Sequence, residues 1–149
     1  MKTSALLKAS SVLWMIWGVF HFAIGVAMIY LLSLGNHALS LSFVSSDPLM
    51  ADLIREYAPV VTATLKQHSW NLGWFGVVTM VGSVYIWKRN ATAIFVTALV
   101  GGLADLGYFM FVDLANLAPP AGTLMTVISA SAIVLSFYAY YSSNRLQNQ

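Results

Sequence analysis

Four apolar stretches separated by polar breaks organise the chain. The first runs from Val12 to Leu32 and is uninterrupted by charge unless His21 is protonated. The second covers about residues 70–87 and stops at Lys88-Arg89-Asn90. The third, 91–112, contains a single acid, Asp105, and is closed by Asp113 and the turn-forming run Pro119-Pro120-Ala121-Gly122. The fourth, 123–141, gives way to a polar tail. A helix crossing a bilayer needs about 20 mostly apolar residues, and each stretch is close to that length. The pattern predicts an all-α protein, an integral membrane four-helix bundle forming one domain over residues 1–149.

Basic residues test the assignment independently, because cytoplasmic loops are enriched in Lys and Arg. Lys2 and Lys8 precede the first stretch, Lys88 and Arg89 join the second to the third, and Arg145 follows the fourth. Four spans with both termini inside put all of these on one face. The opposite face keeps Arg55 and Lys66 in a long loop and only Asp113 in a short one. A basic start before an apolar run also fits a signal peptide, but a run of about 21 residues exceeds the usual 7–15 of a signal core, so a retained helix is expected. The reading is a multi-pass protein of a bacterial-type inner membrane. Trp14, Trp17, Tyr85, Trp87, Tyr138, Tyr140 and Tyr141 cluster toward the inner ends, and Tyr30, Trp70, Trp74 and Tyr108 toward the outer ends. These positions suit interfacial anchors.

The outer loop, 33–69, is the one sizeable polar region. Asp47-Pro48 has the form of a helix start, an N-cap followed by proline at the first position. From 49 to 66, Leu49, Leu53, Tyr57, Val60, Val61, Thr64 and Leu65 fall near one helical face, while Asp52, Arg55 and Glu56 fall mainly elsewhere. Pro59 is expected to end or kink that helix. An amphipathic helical segment in this loop would lie on the outer membrane surface, as a cover for the span ends or as a lid over a site.

Composition narrows the function classes. Of 149 residues, 59% are hydrophobic and 8% charged, against about 25% charged in an ordinary soluble domain. So few charges cannot cover a soluble surface, which excludes a soluble enzyme, a nucleic-acid binder and a disordered chain. The absence of cysteine removes disulfides, thiolate metal sites and a cysteine nucleophile.

Ionisable residues within spans are costly, at least ~2.5–3.5 kcal/mol on insertion scales, and are candidates for function. His21 and Asp105 are the two here. At 1.5 Å per residue His21 lies near mid-membrane and Asp105 some ~6 Å further out, so a bond between them is possible but not implied. Both also have purely structural readings, a neutral imidazole on a nearby carbonyl and a protonated acid in a local hydrogen bond. Around Asp105, the run Gly101-Gly102-Leu103-Ala104-Asp105-Leu106-Gly107-Tyr108 permits close backbone approach. Gly102, Asp105 and Tyr108 or Phe109 share a face expected to turn inward. At the start of the second span, His68, Asn71 and Trp74 are spaced by three and can share a helical stripe. Ser129, Ser131 and Ser136 in span four are expected to bond back to their own helix, and Gly18, Gly25, Gly73, Gly76 and Gly82 read as helix-packing positions.

The catalytic candidates are therefore Asp105, as proton-exchanging group, with His21 or His68 as its partner. The ligand-binding candidates are His68, Asn71, Trp74, Tyr108 and Glu56, with Asp113 nearby. They are expected to converge on one outward-facing polar cavity. The three histidines share no metal-ligand spacing, so no metal is assigned, and phosphate-binding, nucleophile-elbow and dinucleotide motifs are absent. No cofactor is identified. The pattern Trp17-Gly18-x-x-His21-x-x-x-Gly25 in a first span, with three more spans in about 150 residues, resembles small DoxX-like bacterial membrane proteins. The resemblance implies a compact four-span protein, and no functional residue is carried over from it.

The leading expectation is an integral membrane protein with a polar site in the outer half of the bundle, binding or converting a small or lipid-like molecule. Whether it is an enzyme stays open. Its surroundings are the lipid bilayer and such a ligand, with a homo-oligomer or a larger membrane complex as possible assemblies. The alternatives are an accessory or scaffold subunit of a membrane complex and a proton-coupled small carrier.

Overall fold

All four apolar stretches fold as helix; the first, second and fourth helices outrun the stretches that predicted them, and the third covers its stretch by passing into a π-helical turn. The structure, a computed structural model, describes residues 2–46 and 57–147. Helix α1 spans Lys2–Ser33, and a short α2 spans His37–Leu41. Helix α3 spans Pro59–Trp87 and α4 spans Ala91–Tyr108, which continues into a π-helical segment, Phe109–Asp113. Helix α5 spans Pro120–Gln147. No strand occurs among the described residues.

Three stretches are long and apolar enough to cross a membrane: Ser4–Ser33, Ala91–Asp113 and Pro120–Ser143. Helix α3 has 29 residues but opens with a polar turn region, Thr62 to Asn71, that dilutes its apolar run. Here the structure corrects the sequence reading. Pro59 opens a helix, in the first turn of α3 after the N-cap Ala58. Proline fits there because its missing N–H would have no helical partner and its φ is already helical. Residues 59–69, assigned to the outer loop, are thus the opening turns of α3. Asp47, Pro48, Asp52, Arg55 and Glu56, on which the amphipathic loop helix rested, lie outside the described residues.

The packing is the reverse of a soluble protein's. Many large apolar side chains face outward, among them Val19, Val26, Leu99, Leu103, Phe111 and Val134. The buried positions include Ser10, Ser11, Ser69, Thr79, Ser83, Thr97, Ser129 and Ser136. In lipid there is no hydrophobic force between helices, so small and hydroxylated residues fill the contacts. Two of these hydroxyls bridge helices: Ser10 Oγ donates to Ala132 O of α5 at 2.8 Å, and Ser11 Oγ to Ser83 O of α3 at 2.6 Å. Ser129 and Ser136 bond within their own helix.

Helix α1 packs on α3 and α5, and α4 packs on the same two helices. Glycine brings α1 and α3 together at backbone distance. A β-carbon on Gly18 would stand 2.7 Å from Gly76 O, one on Gly76 would stand 2.5 Å from Gly18 O, and one on Gly25 would stand 2.6 Å from Gly73 N. Trp14 and Trp17 are fully buried. They form part of the core and are not interfacial anchors, because Gly101 on α4 leaves the space into which the Trp14 ring fits.

The turns are tight. At the end of α1, Asn36 N–H bonds Leu31 O at 2.9 Å and Gly35 N–H bonds Leu32 O at 3.3 Å. This pairing needs a left-handed residue, and Gly35 supplies it with φ 74°. Arg89 takes the same role between α3 and α4 with φ 64°, after which Asn90 caps α4 through Ala93 N–H at 3.0 Å.

Candidate functional site

His21, near the middle of α1, is fixed from its own helix. Its Nδ1 lies 2.9 Å from Trp17 O, one turn back. A carbonyl can only accept, so Nδ1 carries the proton, and in the neutral ring Nε2 presents a lone pair. The imidazole stacks on the Trp17 indole with ring centroids 3.6 Å apart and planes inclined by 17°. Helical spacing of four makes this possible, since the two side chains stand one above the other.

Asp105 enters from α4, and its residue is only 5% exposed. Trp17 Nε1 donates to Oδ2 at 2.7 Å, and buried Ser129 on α5 adds a hydroxyl against the same carboxyl. Oδ1 lies 3.9 Å from His21 Nε2. That is too far for a hydrogen bond but near enough for one bridging group to meet both. The depth offset counted along the sequence is closed in the folded protein. Trp17 is the residue that sequence reasoning missed. Its position near an inner end suits an interfacial anchor, yet it is fully buried, donates to Asp105 and stacks on His21. Its spacing of four from His21 was the available signal.

The pair lines a cavity of about 460 Å³ between the helices. Phe20, His21 and Ile24 come from α1, Phe43 to Ser45 from the segment after α2, and His68, Leu72 and Phe75 from α3. Ala104, Asp105, Gly107 and Tyr108 come from α4, with Phe111 and Val112 from the π-helical segment. Leu117, Gly122 and Met125 complete the wall. Tyr108 O–H donates to Val44 O at 3.2 Å, and Gly122 makes room for its phenol. Ser46 ties the same segment to the turn that precedes α5 through Ser46 N–H to Leu117 O at 2.6 Å. Residues 43–45 are therefore held over the cavity by both Tyr108 and the 117–118 backbone.

Comparison of this chain with protein-family models, with curated proteins and with solved structures finds no match. The functional reading rests on the geometry.

The structure brings His21, His68, Asp105 and Tyr108 to one cavity. Asn71 and Trp74 stand outside its lining, bonded to each other through Trp74 Nε1 to Asn71 Oδ1 at 3.1 Å on an exposed face. The cause is helical phase. At about 100° per residue, six residues turn Trp74 roughly 120° away from His68, whereas Leu72 and Phe75 return to within roughly 40° of it. Asp113 is also outside the cavity, accepting from Thr123 Oγ1 at 2.6 Å and Thr126 Oγ1 at 3.1 Å. It ties the π-helical segment to the first turns of α5. Phe109 faces outward, and Gly102 packs toward Ile133. Glu56 lies outside the described residues. Among the described residues no three ionisable side chains converge as metal ligands.

Proposed function

We propose that this chain is a four-span integral membrane protein of a bacterial-type inner membrane, with both termini inside, and that its cavity binds a small or lipid-like molecule in the outer half of the bundle. Helix α3 is the fourth span. At 29 residues it measures about 43 Å, enough for a hydrocarbon core of ~30 Å. Its backbone contact with α1 through Gly18, Gly25, Gly73 and Gly76 keeps the two helices side by side at one depth. The basic residues Lys8, Lys88 and Arg89 then share the inner side, where Arg89 also bonds Ser4 Oγ at 2.8 Å.

The observation that carries the binding reading is the meeting of His21 and Asp105 on one cavity wall. Side chains that serve only to lock helices have no need of a cavity, and a cavity that only fills with lipid has no need of two ionisable groups. Trp17 is the positioning residue. Asp105 and His21 Nε2 exchange a proton with whatever occupies the space between them. The experiment is mass spectrometry of the protein released intact from nanodiscs, wild type against Asp105→Asn. A retained small molecule or lipid that the variant loses, at unchanged thermal stability, supports the reading. Identical occupancy in both proteins, or none in either, overturns it.

A further inference from the structure

We propose that the occupant of this cavity is an amphipathic ammonium, a primary amine in its charged form attached to an apolar aryl or alkyl body. This rests on the binding reading above and specifies its ligand class. Three observations select this chemistry over a neutral lipid or an anion.

The first is charge. The cavity wall contains a carboxyl and, among the described lining residues, no Lys or Arg. Asp105 has an indole N–H and a hydroxyl as neighbours, neither of which neutralises a carboxylate. A buried carboxylate without a cation is unfavourable, so a ligand that brings a positive charge gains what an anion would lose.

The second is the direction of the hydrogen-bonding groups. The donors near the pair are already engaged. Trp17 N–H bonds Asp105 Oδ2, His21 Nδ1–H bonds Trp17 O, and Tyr108 O–H bonds Val44 O. The capacity left at the pair is acceptor capacity, Asp105 Oδ1 and the lone pair on His21 Nε2, while His68 elsewhere on the wall brings an imidazole that can both donate and accept. The two acceptors of the pair lie 3.9 Å apart, and one ammonium nitrogen about 2.8 Å from each meets both at an angle of roughly 90°, within reach of two N–H bonds.

The third is the remaining wall. Phe20, Phe43, Phe75, Phe111 and Tyr108 contribute aromatic rings to it. Ring faces attract cations and hold apolar bodies, so one ligand satisfies both parts of the surface.

The test is calorimetric titration of the protein in zwitterionic nanodiscs at neutral pH with three ligands sharing one body: 4-phenylbutylammonium, 4-phenylbutan-1-ol and 4-phenylbutyrate. Charge-assisted bonds are about twice as strong as neutral ones, and the expected result is a Kd for the ammonium at least about tenfold below that of the alcohol, with the carboxylate weakest. Asp105→Leu, close in shape and unable to accept, should abolish the preference for the ammonium. If that variant fails to fold, the ratio between ammonium and alcohol on the wild type decides alone. Binding of the alcohol or carboxylate as tight as that of the ammonium overturns the ligand class and leaves the binding reading standing. No binding of any of the three above empty nanodiscs overturns both.

Discussion

The bond from Trp17 to Asp105 makes a quantitative prediction that separates two descriptions of the centre. At 2.7 Å it lies at the short end of N–H···O distances, in the range of charge-assisted bonds. Trp17 is 0% and Asp105 5% exposed, so water cannot replace either partner. Hydrogen bonds to charged groups contribute about 1.5–3 kcal/mol, whereas bonds between neutral side chains inside membrane proteins average about 0.6 kcal/mol. The perturbation is the pair Trp17→Phe and Asp105→Leu, singly and together. Trp17→Phe alone also leaves a void, and Asp105→Leu alone removes a desolvated acid, so neither single cost isolates the bond. The double-mutant cycle cancels those contributions. The expected coupling is about 1.5 kcal/mol or more, read from unfolding free energies in mixed micelles by circular dichroism, since tryptophan fluorescence changes with the mutation. Additivity within about 0.5 kcal/mol would refute the assignment of Trp17 as the group that positions the acid.

Four further outcomes follow. Gly76→Ala should destabilise by about 1–3 kcal/mol, since its β-carbon meets the Gly18 carbonyl, while Gly73→Ala, with open space at the same depth, should be neutral or up to about 1 kcal/mol more stable; thermal unfolding of both variants checks the contrast. Asp113→Ala should cost up to about 1 kcal/mol of stability, because it removes the acceptor of exposed Thr123 Oγ1 and of Thr126 Oγ1, which also reaches Gly122 O, with ligand affinity in the same nanodiscs changed less than about twofold. The chain lacks cysteine, so single cysteines report topology directly: Leu34→Cys should react with an impermeant maleimide in right-side-out vesicles, and Ala91→Cys only after permeabilisation. His21→Phe keeps a ring on the Trp17 indole but removes Nε2, so it should leave thermal stability nearly unchanged and weaken ligand binding about tenfold or more.

The helices were legible because bilayer thickness imposes a length on every apolar run, and because the breaks at 88–90 and 119–122 combine charge, a capping Asn and prolines. Gly18, Gly25 and Gly76 were legible as packing positions for the same reason that they pack, since a β-carbon there would meet a backbone carbonyl of the other helix, whereas Gly73 has open space where its β-carbon would stand. Phase was harder. His68, Asn71 and Trp74 fit a spacing of three, but a true helical face needs threes and fours in alternation, and His68, Leu72 and Phe75 satisfy that. Tryptophan was misplaced by its usual habit. Trp14 and Trp17 sit near a basic end of the chain, which suits an anchor, yet small residues on α4 and α3 opened a core position for them. The π-helical turn at 109–113 leaves no mark on periodicity, and the strap at 43–46 depends on tertiary bonds to Tyr108 and Leu117 that no local pattern encodes.

Buried polar groups in this protein fall into two kinds, and the difference bears on whether the centre is a site or a lock. Ser10 and Ser11 bond carbonyls of neighbouring helices in the closely packed part of the protein. Each uses its one donor on one acceptor, and neither lines the cavity. Nothing is left over, which is what a packing lock requires. Asp105 is built otherwise. Its bond to Trp17 engages one oxygen and would suffice to join α1 to α4, yet the other oxygen is turned to His21 Nε2 across 3.9 Å with the cavity beside it. His21 repeats the asymmetry, with Nδ1 held by a backbone carbonyl and Nε2 left toward the same space. Two side chains from two helices, each anchored at one atom and open at the other, with both open atoms facing one volume, are more than helix association needs. On the binding reading proposed above, the arrangement suits a third group that donates, because Asp105 Oδ1 and the neutral His21 Nε2 both accept.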